Sequence, residues 1–116
     1  MVMPLRVVVV IREDPLKTHR AVEGLRIALG LSAGESPVTV VLLNGAPALL
    51  ESDRDDIVDG EILEKHLPVL KELQVPFVLL AGASGGFSVD PQFATREESS
   101  ESIGTLIRSA DRVLVF

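Results

Sequence analysis

The chain has 116 residues, enough for a single domain spanning 1–116, and carries a formal net charge of −6 with no cysteine, tryptophan or tyrosine. The missing thiol excludes disulfides, thiolate metal sites and thiol catalysis. The acidic balance repels phosphate backbones and aromatic residues at 3% offer no stacking platform, so nucleic acid is not an expected partner and the core must be built from Val, Leu, Ile and Ala.

The opening MVMPLRVVVVI lacks the basic start and small-residue cleavage site of a signal peptide. No apolar run approaches the roughly 18 residues that span a bilayer, so a cytoplasmic location without a membrane partner is expected. The first strand is Leu5 to Ile11 (LRVVVVI). Asp14-Pro15 then offers a cap and a first helical position, and Thr18 a second start. The stripe Ala21, Val22, Leu25, Ala28, Leu29 predicts a helix from about Thr18 to Leu31, ended by Ser32-Ala33-Gly34. Gly24 inside it costs about 1 kcal/mol relative to Ala, which points to close helix-to-sheet packing as compensation.

A second strand, Val38 to Leu43 (VTVVLL), ends at Asn44-Gly45. Ala46-Pro47-Ala48-Leu49-Leu50 is too short and proline-broken for more than a turn of helix, and its five apolar residues predict either a subunit contact or burial in the core. From Glu51 to Lys65, seven carboxylates (Glu51, Asp53, Asp55, Asp56, Asp59, Glu61, Glu64) face only Arg54 and Lys65. The run lacks the ligand register of a calcium loop and predicts a solvated, mobile segment. A helix with Leu63, Leu67, Leu70 and Leu73 on one face either starts near Pro68 or begins near Glu61 and kinks. A third strand, Val75 to Ala81 (VPFVLLA), runs into Gly82-Ala83-Ser84-Gly85-Gly86. Asp90-Pro91 opens a brief turn, a short strand falls around Ala94 to Glu97, and Ile103, Leu106, Ile107 and Ala110 mark a last helix before the strand Arg112 to Phe116.

Continuous apolar strands separated by helical patterns imply βαβ crossovers and a parallel sheet of four to five strands. Ligands in such sheets sit outside the carboxyl ends of the strands, which places Arg12, Asn44 and Ser84 around any pocket, with Gly85 and Gly86 supplying backbone N–H groups. The competing account is that Arg12 and Asn44 satisfy loop and helix-end backbone groups and that GASGG is a flexible connection. That loop matches neither GxGxxG nor GxxxxGK[ST], and His19 and His66 have no metal-ligand spacing, so neither a cofactor nor a metal is expected.

The order of elements, with THRAVEGLRIAL after the first strand, VVLLNGA, VPFVLLAGASGG and the closing SIGTLIRSADRVLVF, resembles the DsrE/DsrF-like family of sulfur-relay proteins over nearly the whole chain. The resemblance implies a three-layer α/β/α sandwich around a mostly parallel sheet, commonly assembled as homo- or hetero-oligomers such as trimers and hexamers. In sulfur-transferring members a cysteine after the third strand accepts persulfide sulfur. Here Leu80 or Ala83 stands in that place, and neither carries sulfur. The expectation is a non-catalytic, oligomer-forming structural or binding subunit, with a cysteine-bearing family protein as a further partner. A small-molecule binder, or a thiol-independent enzyme, using Arg12, Asn44 and the GASGG amides at the sheet edge is the alternative.

Overall fold

A computed structural model describes residues 5–34, 36–51, 54–82 and 86–116. In chain order the elements are β1 (Val7–Ile11), α1 (Arg20–Ser32), β2 (Val38–Leu42), a 3-10 turn (Ala46–Leu50), α2 (Gly60–Glu72), β3 (Phe77–Leu80), β4 (Thr95–Glu98), α3 (Ser100–Ser109) and β5 (Arg112–Val115). The five strands form one sheet in the order β4-β3-β2-β1-β5, and every neighbouring pair is parallel. The result is a three-layer α/β/α sandwich.

Strand pleating divides β1 between two cores. Val7, Val9 and Ile11 meet α1, the 3-10 turn and α2 on one face, while Val8 and Val10 meet Ile103, Leu106 and Ile107 of α3 on the other. The side each helix takes follows from chain direction. From β1 to β4 the sheet grows one way, and β4 to β5 returns, so right-handed crossovers put α3 opposite α1 and α2. The connection from β3 to β4 holds no α-helix among its described residues. It lays Val89 and Phe93 on the first face instead, with Phe93 edge-on to Phe77 at 5.7 Å, and pairs Val89 with Glu51 in an antiparallel bridge.

Gly24 sits where α1 comes nearest the sheet. A Cβ there would lie 3.0 Å from Cγ1 and Cδ1 of Ile11 and 3.1 Å from Phe116 Cγ. The helix begins at Arg20 rather than at the Asp14-Pro15 step. Asp14 Oδ1 accepts from Leu16 N at 2.9 Å, which makes that segment an Asx turn, and Pro15 is fully buried.

All five residues of the 3-10 turn are buried, so Ala46–Leu50 belongs to this chain's own core and presents no subunit contact. Helix α2 runs without a break through Pro68, which lies exposed on the solvent side of the helix. There water can satisfy the carbonyl one turn back that proline leaves without a donor. The described part of the acidic segment is tied down rather than free. Arg54 donates to both Glu51 and Asp56, Ile57 is buried, and Val58 N donates to Pro15 O at 2.9 Å. No described helix is long and apolar enough to cross a membrane.

Candidate functional site at the carboxyl edge

Because every strand points the same way, the residues after β1, β2, β3 and β4 all emerge at one edge of the sheet. Arg12 follows β1, Asn44 lies two residues past β2, and Gly82, with φ of 85°, turns the chain after β3. Helix α3 starts directly after β4, so its N-terminus is at this edge too. Ser99 caps it, its Oγ accepting from Ser102 N at 3.1 Å.

Asn44 adopts the left-handed conformation, φ 56°, and its Nδ2 donates to Arg12 O at 3.3 Å. It therefore ties the β2 end to the β1 end, as a loop asparagine can. Asn44 also borders a recess of about 380 Å³ whose other walls are Leu43, Leu80, Ser100, Ile103, Gly104 and Ile107. Four aliphatic side chains form its body, and Asn44 and Ser100 supply polar groups at its margin. Gly104 keeps one wall low, since a Cβ there would approach only the flexible end of Arg108, at 3.3 Å.

Of the residues expected at a strand-edge pocket, only Asn44 lines this recess among those described. Arg12 is exposed, with its N donating to Phe116 O at 2.7 Å, and does not line it. Gly86 is exposed and leads into the segment that pairs with Glu51, where Ser88 N donates to Glu51 Oε2 at 3.2 Å. Ser84, Gly85 and Ala83 lie outside the described residues. Sequence reasoning missed Ser100, Ile103, Gly104 and Ile107. The helical stripe through Ile103 and Ile107 was visible in the sequence, but its placement over the ends of β2 and β3 was not.

A second recess, about 290 Å³, runs along α2 and is lined by Glu51, Arg54, Ile57, Lys71, Asp90 and Phe93 among others. Both of its cations are engaged by carboxylates of the chain. Lys71 Nζ donates to Asp90 Oδ2 at 2.7 Å and to Gln92 Oε1 at 3.3 Å, and stands 4.9 Å from the Phe93 ring centroid. Hydrogen bonds to Asp56 and then to Glu51 raise the Arg54 pKa, and the same guanidinium holds the Asp56 carboxyl below its usual range. Cations committed in this way have little left for an external anion.

A five-stranded parallel sheet with helices on both faces, and a recess at its carboxyl edge, defines the class as a three-layer α/β/α sandwich. The crystal structure of the ychN protein from E. coli matches this chain with a TM-score of 0.78 and 20% sequence identity, covering 98% of this chain and 100% of that one. At that identity the likeness speaks to the fold alone. No family model matches the chain, and no curated protein matches it.

Proposed function

We propose that this chain is a cysteine-free relative of the DsrE/DsrF-like sulfur-relay proteins that acts without catalysis, as an oligomer-forming structural or binding subunit in the cytoplasm. One observation carries the proposal. Of the two positions where the resemblance places a sulfur-accepting cysteine, Leu80 and Ala83, Leu80 forms part of the wall of an apolar recess, and Ala83 lies outside the described residues. A sulfane sulfur needs a thiolate to receive it, and the chain has no thiol. Incubation of the purified chain with a persulfide donor, followed by intact-mass measurement, is expected to leave the mass unchanged. Stable uptake of one sulfur would reject the non-catalytic assignment. Purification from the native source is expected to bring down further copies of the chain or a cysteine-bearing family protein.

The recess itself favours a second use, the binding of a small molecule. A thermal-shift series with nucleotides, phosphate and small carboxylates checks it. A flat response across the series would remove that reading.

A further inference from the structure

We propose that β5 pairs with β5 of a second copy of this chain, antiparallel about a two-fold axis through Leu114, joining two five-stranded sheets edge to edge. The proposal rests on the oligomer-forming part of the function above and assigns it a surface.

The two edges of the sheet are built differently. The β4 edge is Thr95, Arg96, Glu97 and Glu98, with Arg96 Nε donating to Glu98 Oε1 at 3.2 Å. Charged side chains of that kind guard an edge strand against pairing. The β5 edge has no such guard along its middle. Val113 is 38% exposed and Val115 47%, and they are the only exposed apolar residues in the described strands. Their register partners on β1, Val8 and Val10, are buried beneath α3. The second core therefore continues outward onto β5 past the helix that covers it, and the apolar stripe ends in solvent.

The backbone of the same two residues is what a further strand requires. On the β1 side, Arg112 N donates to Arg6 O, Phe116 N donates to Val10 O, and Phe116 O accepts from Arg12 N. Successive residues of a strand direct their N–H and C=O groups to alternate sides, so Val113 and Val115 direct theirs away from β1. An antiparallel pair centred on Leu114 sets Val113 opposite Val115 of the second copy, and Val115 opposite its Val113. Both are positions where each residue exchanges N–H and C=O with its opposite, so the edge is its own complement, as a two-fold contact demands. The β-branched side chains then meet on one face as hydrogen-bonded cross-strand pairs, with Cα atoms about 5.5 Å apart.

A second copy of this chain is the occupant that matches, because the two-fold sets the same exposed valines and the same outward backbone groups against each other. The two-fold brings Asp111 and Arg112, at the start of one β5, towards the far end of the other, where Arg12 and Glu13 both donate their backbone N–H groups to Phe116 O. Arg6, whose N donates to Asp111 Oδ2 at 2.8 Å, adds a second base at the start of β5, and Arg20 over the Phe116 ring adds one at the far end, so each end holds one acid beside two bases and the antiparallel arrangement turns Glu13 towards Arg112 and Asp111 towards Arg12.

Sedimentation velocity on the full chain across a concentration series, read with amide hydrogen exchange, tests the proposal. The wild type should show twice the 12.5 kDa chain mass or an even multiple of it. The Val113 and Val115 amides should exchange roughly tenfold or more slowly in the oligomer than at high dilution. Val113→Lys and Val115→Lys should each halve the mass. Val113→Pro should do the same while keeping the β1 ladder, because only an outward-facing N–H is lost. If a variant loses its far-ultraviolet circular dichroism, wild-type exchange decides alone. An oligomer whose mass survives all three folded variants and whose Val113 and Val115 amides stay unprotected, or an oligomer of odd number, overturns this surface and leaves the oligomer-forming function standing. A wild type of single-chain mass at every concentration overturns both.

Discussion

Gly24→Ala is the substitution for which this structure makes the sharpest demand, because two effects of known size oppose each other. In a helix interior, alanine is favoured over glycine by about 1 kcal/mol. At Gly24 the added methyl would lie 3.0 Å from Ile11 Cγ1 and Cδ1 and 3.1 Å from Phe116 Cγ. Ile11 is fully buried, and Cγ1 is mid-chain, so the contact cannot be relieved by swinging a side-chain tip. Overpacking of this kind costs about 1–3 kcal/mol, so the net expectation is a loss of up to about 2 kcal/mol. Gly30 provides the control in the same helix. It is exposed, nothing lies within 4 Å of its Cβ position, and Gly30→Ala should gain close to the full propensity term. The difference between the two variants cancels propensity and reports the contact. With a urea m-value of about 1–3 kcal/mol/M, the midpoints should separate by on the order of 1 M at unchanged m. Ile11→Val in the Gly24→Ala background should recover part of the loss, since it removes Cδ1. Gly24→Ala proving as stable as Gly30→Ala would refute the close approach of α1 to β1.

Leu49→Ala should destabilise the fold by about 2–5 kcal/mol in urea melts without changing the oligomeric mass, because the residue is fully buried in the chain's own core. Ser99→Ala removes the cap of α3 and should cost about 1 kcal/mol, with faster amide exchange in the first turn of that helix. Arg26 and Arg54 hold Glu23 and Asp56 below the usual carboxylate range, chiefly through side-chain hydrogen bonds. Folded-state values lowered in this way add stability above the unfolded carboxylate range and lose it as pH falls through the lowered values. The chain should therefore weaken on acidification through and below the ordinary carboxylate range, and Arg26→Gln with Arg54→Gln should flatten that slope in urea titrations at stepped pH.

Sheet edges show where local pattern stops being informative. The run RVVVVI is legible as a strand because burial on both faces writes a continuous apolar signature. TREE carries no such signature, and β4 exists because β3 beside it offers an unpaired ladder to which Thr95–Glu98 is added. The charges of β4 suit an edge strand, but RVLV in β5 reads like an inner strand, since edge status depends on which strand fails to arrive alongside.

The candidate site divides in the same way. Asn44 is readable as a strand-end residue, and its place at the recess follows from all-parallel strand direction. Arg12 and Gly86 emerge at strand ends yet face other surroundings, because direction fixes the edge but not the side of the sheet to which a loop turns.

The amino-acid order by itself determined the apolar strands, the helical stripes, the close approach at Gly24 and the want of a thiol, all of which are properties of single residues or of neighbours within a turn or two. Tertiary structure alone decided that Ala46–Leu50 is core, that α3 walls the recess, and that Val113 and Val115 lie uncovered. Those outcomes depend on contacts between segments far apart in the chain, and local hydrophobic periodicity carries no record of which distant surface will supply the burial.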